Sequence, residues 1–172
     1  MKIDPASALT LKAVIQADVE VVRRWTTALS ALPDAALPET GTITAAYYLH
    51  NIYNALENTF DQVSRTFENH VKDLSRWHRE LLAKMFLDLS PLRPPVLSPD
   101  LKPLLDELRG FRHVFRHSYD YGLDAARVAN LRERWLAHAG PVTESLRRFA
   151  GELEAVAQAE LGGAAGEQAG AP

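Results

Sequence analysis

Apolar residues recur at helical spacing along almost the whole chain, and no alternating, strand-like run interrupts them. Such spacing collects apolar side chains on one face of an α-helix, which must then pack against other helices. With 172 residues, 47% of them apolar, the chain has the size and composition of one domain with a single core. The sequence therefore predicts an all-α, up-and-down bundle of four or five helices.

Helix boundaries follow from caps, prolines and apolar positions. Asp4 and Pro5 are typical of an N-cap and a first helical residue, and Ser98 and Pro99 repeat that pattern before a later helix. Asp124 is predicted to cap the last helix. In order along the chain, helices are expected over about 5–32, 42–69, 73–87 and 99–119, and from 125 onward.

Prolines set two further expectations. The stretch "SPLRPPVLSP" has four prolines in ten residues and is predicted to be a loop. Gly140 and Pro141 should break the last helix, yet apolar residues keep one heptad-like register across them, which predicts a single long helix with a kink. Those residues are Val128, Leu131, Trp135, Val142, Leu146, Phe149, Leu153 and Val156. The small, polar segment 162–172 is predicted to be a disordered tail, which leaves residues 1–161 as one helical domain.

Composition excludes several classes of function. A formal net charge of −3 is not that of a polycation that coats nucleic acid, so any contact with nucleic acid must come from a local patch. The absence of cysteine excludes disulfides, thiolate metal sites and a cysteine nucleophile. The first residues lack the pattern of a signal peptide, and no window has the length and hydrophobicity of a membrane span. A cytoplasmic protein with no membrane partner is expected.

The segment "ELRGFRHVFRHSYDYGLD" is unusual because it places an arginine on an apolar helix face. On a helical wheel, Arg112 lies about 40° from Leu108, within the face that the helix needs for packing. Burying a guanidinium there is costly unless it meets a carboxylate, a phosphate or water. Two structural interpretations are open: the side chain extends past the core edge to solvent, or it pairs with Glu57 on the flank of the second helix.

His113 and His117 lie four residues apart, a spacing compatible with a shared metal ion. Two ligands are too few for a metal site, and no nearby glutamate completes a motif such as H-E-x-x-H. A solvent-facing, partly basic helix face is the plain alternative. No metal and no other cofactor is therefore expected.

Arg112, His117 and Tyr119 form the pattern R-x4-H-x-Y, with the polar His113 directly after the arginine. This pattern resembles the HEPN superfamily and, within it, the HepT-like ribonuclease toxins, in which the tyrosine is the HepT-specific addition. The stretch "YYLHNIYNALENTFDQVSR" is similar to the second helix of that family. The similarity covers about residues 42–130.

The resemblance implies a metal-independent endoribonuclease that acts as the toxin of a toxin–antitoxin pair, with RNA and not DNA as its partner. It implies that His117 transfers a proton and that Arg112 binds a phosphate, with Arg109 and Arg116 as further phosphate contacts. Positions five apart on an intact helix are rotated by about 140° from each other. Either the helix unwinds near Arg116, or two protomers of a homodimer complete one site, as in the HEPN superfamily.

The resemblance also implies regulation. In this family the antitoxin is a minimal nucleotidyltransferase that adds AMP to the motif tyrosine, which is Tyr119 here, and Tyr121 is a neighbour that modification could confuse with it. One alternative is a helical binding module that serves a nucleotidyltransferase and has no nuclease activity. Another is a dimerising bundle whose histidines have no catalytic role.

Overall fold

The computed structural model describes residues 1–33, 39–68, 77–117 and 122–168, with all of their side chains except those of His117 and residues 163–168. The described chain is all-α, which confirms the predicted fold class. The helices are α1 (Pro5–Ser30), α2 (Glu39–Phe67), α3 (Trp77–Lys84), α4 (Lys102–His117) and α5 (Ala125–Gln168), and a 3₁₀ turn, Pro99–Leu101, precedes α4.

At two of the predicted helix starts, the capping residue accepts the expected hydrogen bonds from backbone N–H groups. Asp4 accepts a hydrogen bond from the backbone N–H of Ser7 at 2.9 Å, and Pro5 is the first helical residue. The Asp124 carboxylate accepts from the backbone N–H groups of Ala126 at 3.0 Å and Arg127 at 3.2 Å. Both caps satisfy amide groups that have no partner within their own helix.

Three predicted boundaries need correction. Helix α4 begins at Lys102 because residues 99–101 form a 3₁₀ turn, and Ser98 makes no side-chain capping hydrogen bond. Helix α2 begins at Glu39, three residues before the expected start, and α3 ends at Lys84 instead of near residue 87. Short turns follow α3 because the backbone N–H groups of Met85 and Phe86 bond carbonyls only three residues back. The predicted start of the third helix near residue 73 lies outside the described residues.

Helix α5 runs without interruption through Pro141, which confirms one long helix in place of two. The apolar residues predicted to share a register are buried from Val128 to Leu153, and Val156 is half-buried. Helical backbone continues past residue 161 to Gln168. A domain boundary at that point, a disordered tail and the kink at Pro141 stay predictions.

Helix α2 is the central helix of the bundle, because it contacts each of the other four α-helices. Helices α1 and α5 pack against it and against each other, and buried Trp135 of α5 donates its indole N–H to Thr26 Oγ1 of α1 at 3.0 Å. Helices α3 and α4 also pack against it and against each other. The apolar face of α4 is buried through Phe111. This arrangement brings the end of α4 against the middle of α2.

The proline-rich segment between α3 and α4 forms the predicted loop. The buried side chain of Arg93 anchors this loop to the bundle. Arg93 as a residue is 1% exposed, and its Nη2 atom pairs with Glu68 Oε1 at 2.6 Å. It also donates to the backbone carbonyls of Lys84, Leu87 and Pro94. A buried guanidinium with this many acceptors is satisfied, so one arginine joins the loop to the ends of α2 and α3.

Arg132, on α5, closes the carboxyl end of α1. Its guanidinium donates to the carbonyls of Leu29 at 3.2 Å, Leu32 at 2.6 Å and Pro33 at 3.1 Å. The last carbonyls of a helix have no partner within it, and a cation there also opposes the helix dipole. No helix within the described ranges has the length and hydrophobicity needed to cross a bilayer.

Candidate functional site

Arg112 lies near the end of α4 and is held by two residues of α2. Its Nη2 atom lies 2.8 Å from Glu57 Oε2, and its Nε atom donates to Asn54 Oδ1 at 2.7 Å. The side chain is 13% exposed, so the guanidinium does not extend fully to solvent. Of the two structural interpretations, the pairing with Glu57 describes this contact. The arginine sits at the rim of the packing face with its charge balanced.

Glu57 has a second partner on its other carboxylate oxygen. Oε1 lies 2.7 Å from His78 Nδ1, at the amino end of α3. The Glu57 side chain is 9% exposed, and a buried carboxylate requires such partners. One glutamate of α2 therefore ties together an arginine of α4 and a histidine of α3.

Asn54 connects Arg112 to His50. Because Asn54 Oδ1 accepts from Arg112, its amide nitrogen faces His50 Nε2, at 2.9 Å. An amide nitrogen only donates, so His50 Nε2 is the acceptor and the neutral ring carries its proton on Nδ1. Burial, together with the positive charges of Arg112 and Arg116, lowers the pKa of His50 below its ordinary value of 6.5. The neutral ring also packs on Phe115, with 5.0 Å between ring centroids.

Tyr53 lies one residue before Asn54 and points into the core. The residue is 1% exposed, and its hydroxyl has no hydrogen-bond partner among the described residues. Burial, reinforced by the charge of Glu57, raises the pKa of Tyr53 well above its ordinary value. The phenol therefore stays protonated, and its environment is unsuited to a proton-transfer role.

The other arginines of α4 make the surroundings basic. Arg109 Nε lies 3.5 Å from Asp106 Oδ1, and the side chain is 28% exposed. Arg116 and His113 are exposed. Arg112 and Arg109 are thus paired with Glu57 and Asp106, and the positive charge of Arg116 acts on His50.

The remaining motif residues lie at the limit of the described chain. Helix α4 is intact through His117, so the helix does not unwind near Arg116. The His117 side chain, Tyr119 and Tyr121 lie outside the described residues. Within the described side chains, no group of three or more His, Asp or Glu residues has the arrangement of a metal site.

An apolar cavity of about 140 Å³ adjoins the motif between the end of α4 and the start of α5. Its walls include Phe111, Leu123 and Val128, and Val114 at its edge is 48% exposed. An exposed valine beside an open apolar cavity is a surface that another apolar group can cover.

Sequence reasoning singled out Arg112 and Glu57 but did not find Asn54 or His78. The sequence did contain a signal for Asn54, because His50, Asn54 and Glu57 recur at i, i+4 and i+7 on one face of α2. Nothing local marks His78, because its partner Glu57 is 21 residues away in the sequence.

The fold and this site define a class of protein: a helical bundle that ends one helix in an Arg-x4-His motif, which is the HEPN arrangement. The family of HepT-like proteins within that class matches the chain over residues 44–153. The match covers more than half of the chain, from α2 into α5, and the chain belongs to this family. No curated protein and no solved structure matches the chain significantly.

Proposed function

We propose that the protein is a metal-independent endoribonuclease and the toxin of a toxin–antitoxin pair, acting in the cytoplasm. Membership of the HepT-like family supports the reaction class. The observation that carries the proposal is the placement of Arg112. Its guanidinium is held by Asn54 and Glu57 at the rim of the bundle, and Nη1 takes part in neither of these contacts.

The chemistry needs few protein groups. RNA carries its own nucleophile, since the 2′-hydroxyl can attack the adjacent phosphorus. Arg112 binds the non-bridging phosphate oxygens, because a planar guanidinium matches them with paired N–H donors. His117 transfers a proton, for which imidazole is suited near neutral pH. Arg109 and Arg116 bind neighbouring phosphates of the chain.

The site is proposed to be shared by two protomers. With α4 intact through His117, positions 112 and 117 are rotated by about 140° from each other, so one phosphate cannot lie against both in a single chain. A homodimer with two-fold symmetry places the arginine of one chain opposite the histidine of the other. The exposed Val114 and the apolar cavity beside it supply a surface for such a contact.

Tyr119 is the proposed site of control. A nucleotidyltransferase antitoxin would attach AMP to its hydroxyl, two residues from His117. The added phosphate is anionic, so it repels the RNA backbone and occupies its place. His113 is a supporting residue of the motif.

The test is cleavage of RNA by purified, unmodified protein in excess EDTA, beside His117→Ala and Arg112→Lys. We expect cleavage that persists in EDTA and that both substitutions abolish, since lysine keeps the charge but not the planar fork. Arg23→Lys, on the exposed face of α1, is the matched control and should cleave normally.

Mass spectrometry must first show that Tyr119 carries no AMP. If unmodified wild-type protein then fails to cleave RNA, the nuclease proposal is wrong. Binding to a nucleotidyltransferase that survives His117→Ala would instead identify a non-catalytic binding module.

A further inference from the structure

Glu57 joins two groups that a phosphate-transfer site uses. One oxygen holds Arg112 at 2.8 Å, and the other holds the imidazole of His78 at 2.7 Å. A carboxylate that contacts both an arginine and a histidine fixes their relative positions, although they lie on different helices. The structure thus places an imidazole and the arginine proposed to bind phosphate on the same carboxylate.

The His78 ring is oriented for proton transfer. Its side chain is 39% exposed, and Trp77 packs against the ring with 4.6 Å between centroids. With Nδ1–H donated to Glu57, the neutral ring carries its lone pair on Nε2, at the far side of the ring from the carboxylate. No residue in the described part of the chain donates a hydrogen bond to Nε2. A carboxylate behind such a ring also stabilises the imidazolium that forms when Nε2 takes a proton.

We propose that His78 is a catalytic residue, the general base that activates the 2′-hydroxyl, and that Glu57 is its positioning residue. This inference rests on the proposed ribonuclease function and adds a second histidine from the same chain as Arg112. It separates two proton-transfer roles: His78 acts on the attacking oxygen, and His117 acts on the leaving oxygen.

The reaction balances with these two groups. The 2′-oxygen gives its proton to His78 Nε2 and forms a bond to phosphorus, and the bond between phosphorus and the 5′-oxygen breaks. The departing 5′-oxygen takes a proton from His117. The products are a 2′,3′-cyclic phosphate and a 5′-hydroxyl, and exchange with water resets both histidines.

A purely structural histidine is the competing explanation, and His78→Asn separates the two. Asparagine places an amide N–H where Nδ1 lies, so the hydrogen bond to Glu57 is kept, but it has no atom at the position of Nε2. A structural role therefore predicts normal cleavage. A general base predicts a loss of about 100-fold or more in kcat/KM.

The experiment uses two RNA oligonucleotides, one unmodified and one with sulfur in place of the 5′-bridging oxygen. A thiolate leaves without a proton, so the modified RNA needs the base but not the acid. We expect His78→Asn to be slow on both substrates, and His117→Ala to be slow only on the unmodified RNA. His138→Asn is the matched control, because that exposed histidine bonds only a carbonyl of its own helix.

Two results would overturn the inference: normal cleavage by His78→Asn, or its recovery on the sulfur-containing RNA. If wild-type protein cleaves neither substrate, the proposed function itself has failed and the inference fails with it. Circular dichroism checks that His78→Asn is folded. If it is not, His78→Ala is assayed with added imidazole, where recovery of cleavage supports the base and no recovery overturns it.

Discussion

Asn54 accepts a hydrogen bond from Arg112 Nε at 2.7 Å, so an uncharged residue of α2 sets the direction of the guanidinium. The ion pair with Glu57 balances its charge, but a single contact leaves a guanidinium free to rotate. Two contacts to different nitrogens fix its plane. Arg112 is thereby held in one orientation before any ligand arrives.

Asn54→Leu tests this relationship. Leucine has a similar size but forms no side-chain hydrogen bond, so Arg112 Nε and His50 Nε2 both lose their partner. We expect the free energy of unfolding to fall by about 1.5–3 kcal/mol, as for hydrogen bonds to charged groups, and kcat/KM for RNA to fall by about tenfold or more. Urea unfolding and RNA cleavage measure the two effects. Asn51→Leu is the control, since the Asn51 side chain bonds only the carbonyl of Tyr47 in its own helix.

His50 makes stability depend on pH. Its pKa is lowered in the folded chain, so the unfolded chain binds more protons in mildly acidic solution. The stabilisation is fully present above the unfolded value, about 6.5, and is lost as pH falls from there toward the lower folded pKa. We expect the Tm of the wild type to drop between pH 7.5 and 5.5, and to drop less in His50→Gln.

Glutamine is chosen for His50 because its side-chain oxygen can still accept from Asn54 but does not titrate in this range. Equal pH dependence of Tm in the two proteins would contradict the assignment. His138→Gln, which changes an exposed histidine, should keep the wild-type dependence.

Tyr53→Phe removes a buried hydroxyl that has no partner among the described residues. Because no hydrogen bond is lost, we expect the free energy of unfolding to change by no more than about 0.5 kcal/mol, or to rise. Thr26→Val is the contrasting variant, since its hydroxyl accepts from Trp135 at 3.0 Å and its loss should cost about 1 kcal/mol. A larger cost for Tyr53→Phe than for Thr26→Val would show that the phenol has a partner.

Glu68→Gln tests the buried ion pair of Arg93 and Glu68, which holds the proline-rich loop. It leaves the Arg93 guanidinium, fully buried, without its counter-charge, and breaking a buried pair in this way costs about 3–5 kcal/mol. Glu20→Gln breaks the exposed pair with Arg23 and should cost at most about 1 kcal/mol. Chemical denaturation compares the two, and similar losses would refute a special role for Arg93.

The ion pair of Arg93 and Glu68 also makes stability depend on pH, but through a carboxylate instead of an imidazole. Burial alone would raise the pKa of Glu68, but hydrogen bonds from Lys84 and Arg93 lower it below its ordinary value of 4.5. The stabilisation is therefore present above that value and is lost only as pH falls through the lower folded pKa.

Much of the fold could be predicted because its determinants are local. The caps at Asp4 and Asp124, the proline-rich loop and the continuous register across Pro141 all depend on residues a few positions apart. The candidate site was predictable in part for the same reason. The wheel position of Arg112 and the flank position of Glu57 follow from helical periodicity, and the structure joins them at 2.8 Å.

What the sequence by itself determined is which residues are helical, which face of each helix is apolar, and which family the motif resembles. Only the tertiary structure decided the partners: His78 on Glu57, Asn54 on Arg112, and the buried clamps of Arg93 and Arg132. Helical periodicity and capping act over three or four residues, so sequence patterns record them. A contact between helices depends on where whole helices pack, and no local pattern specifies which polar groups then meet.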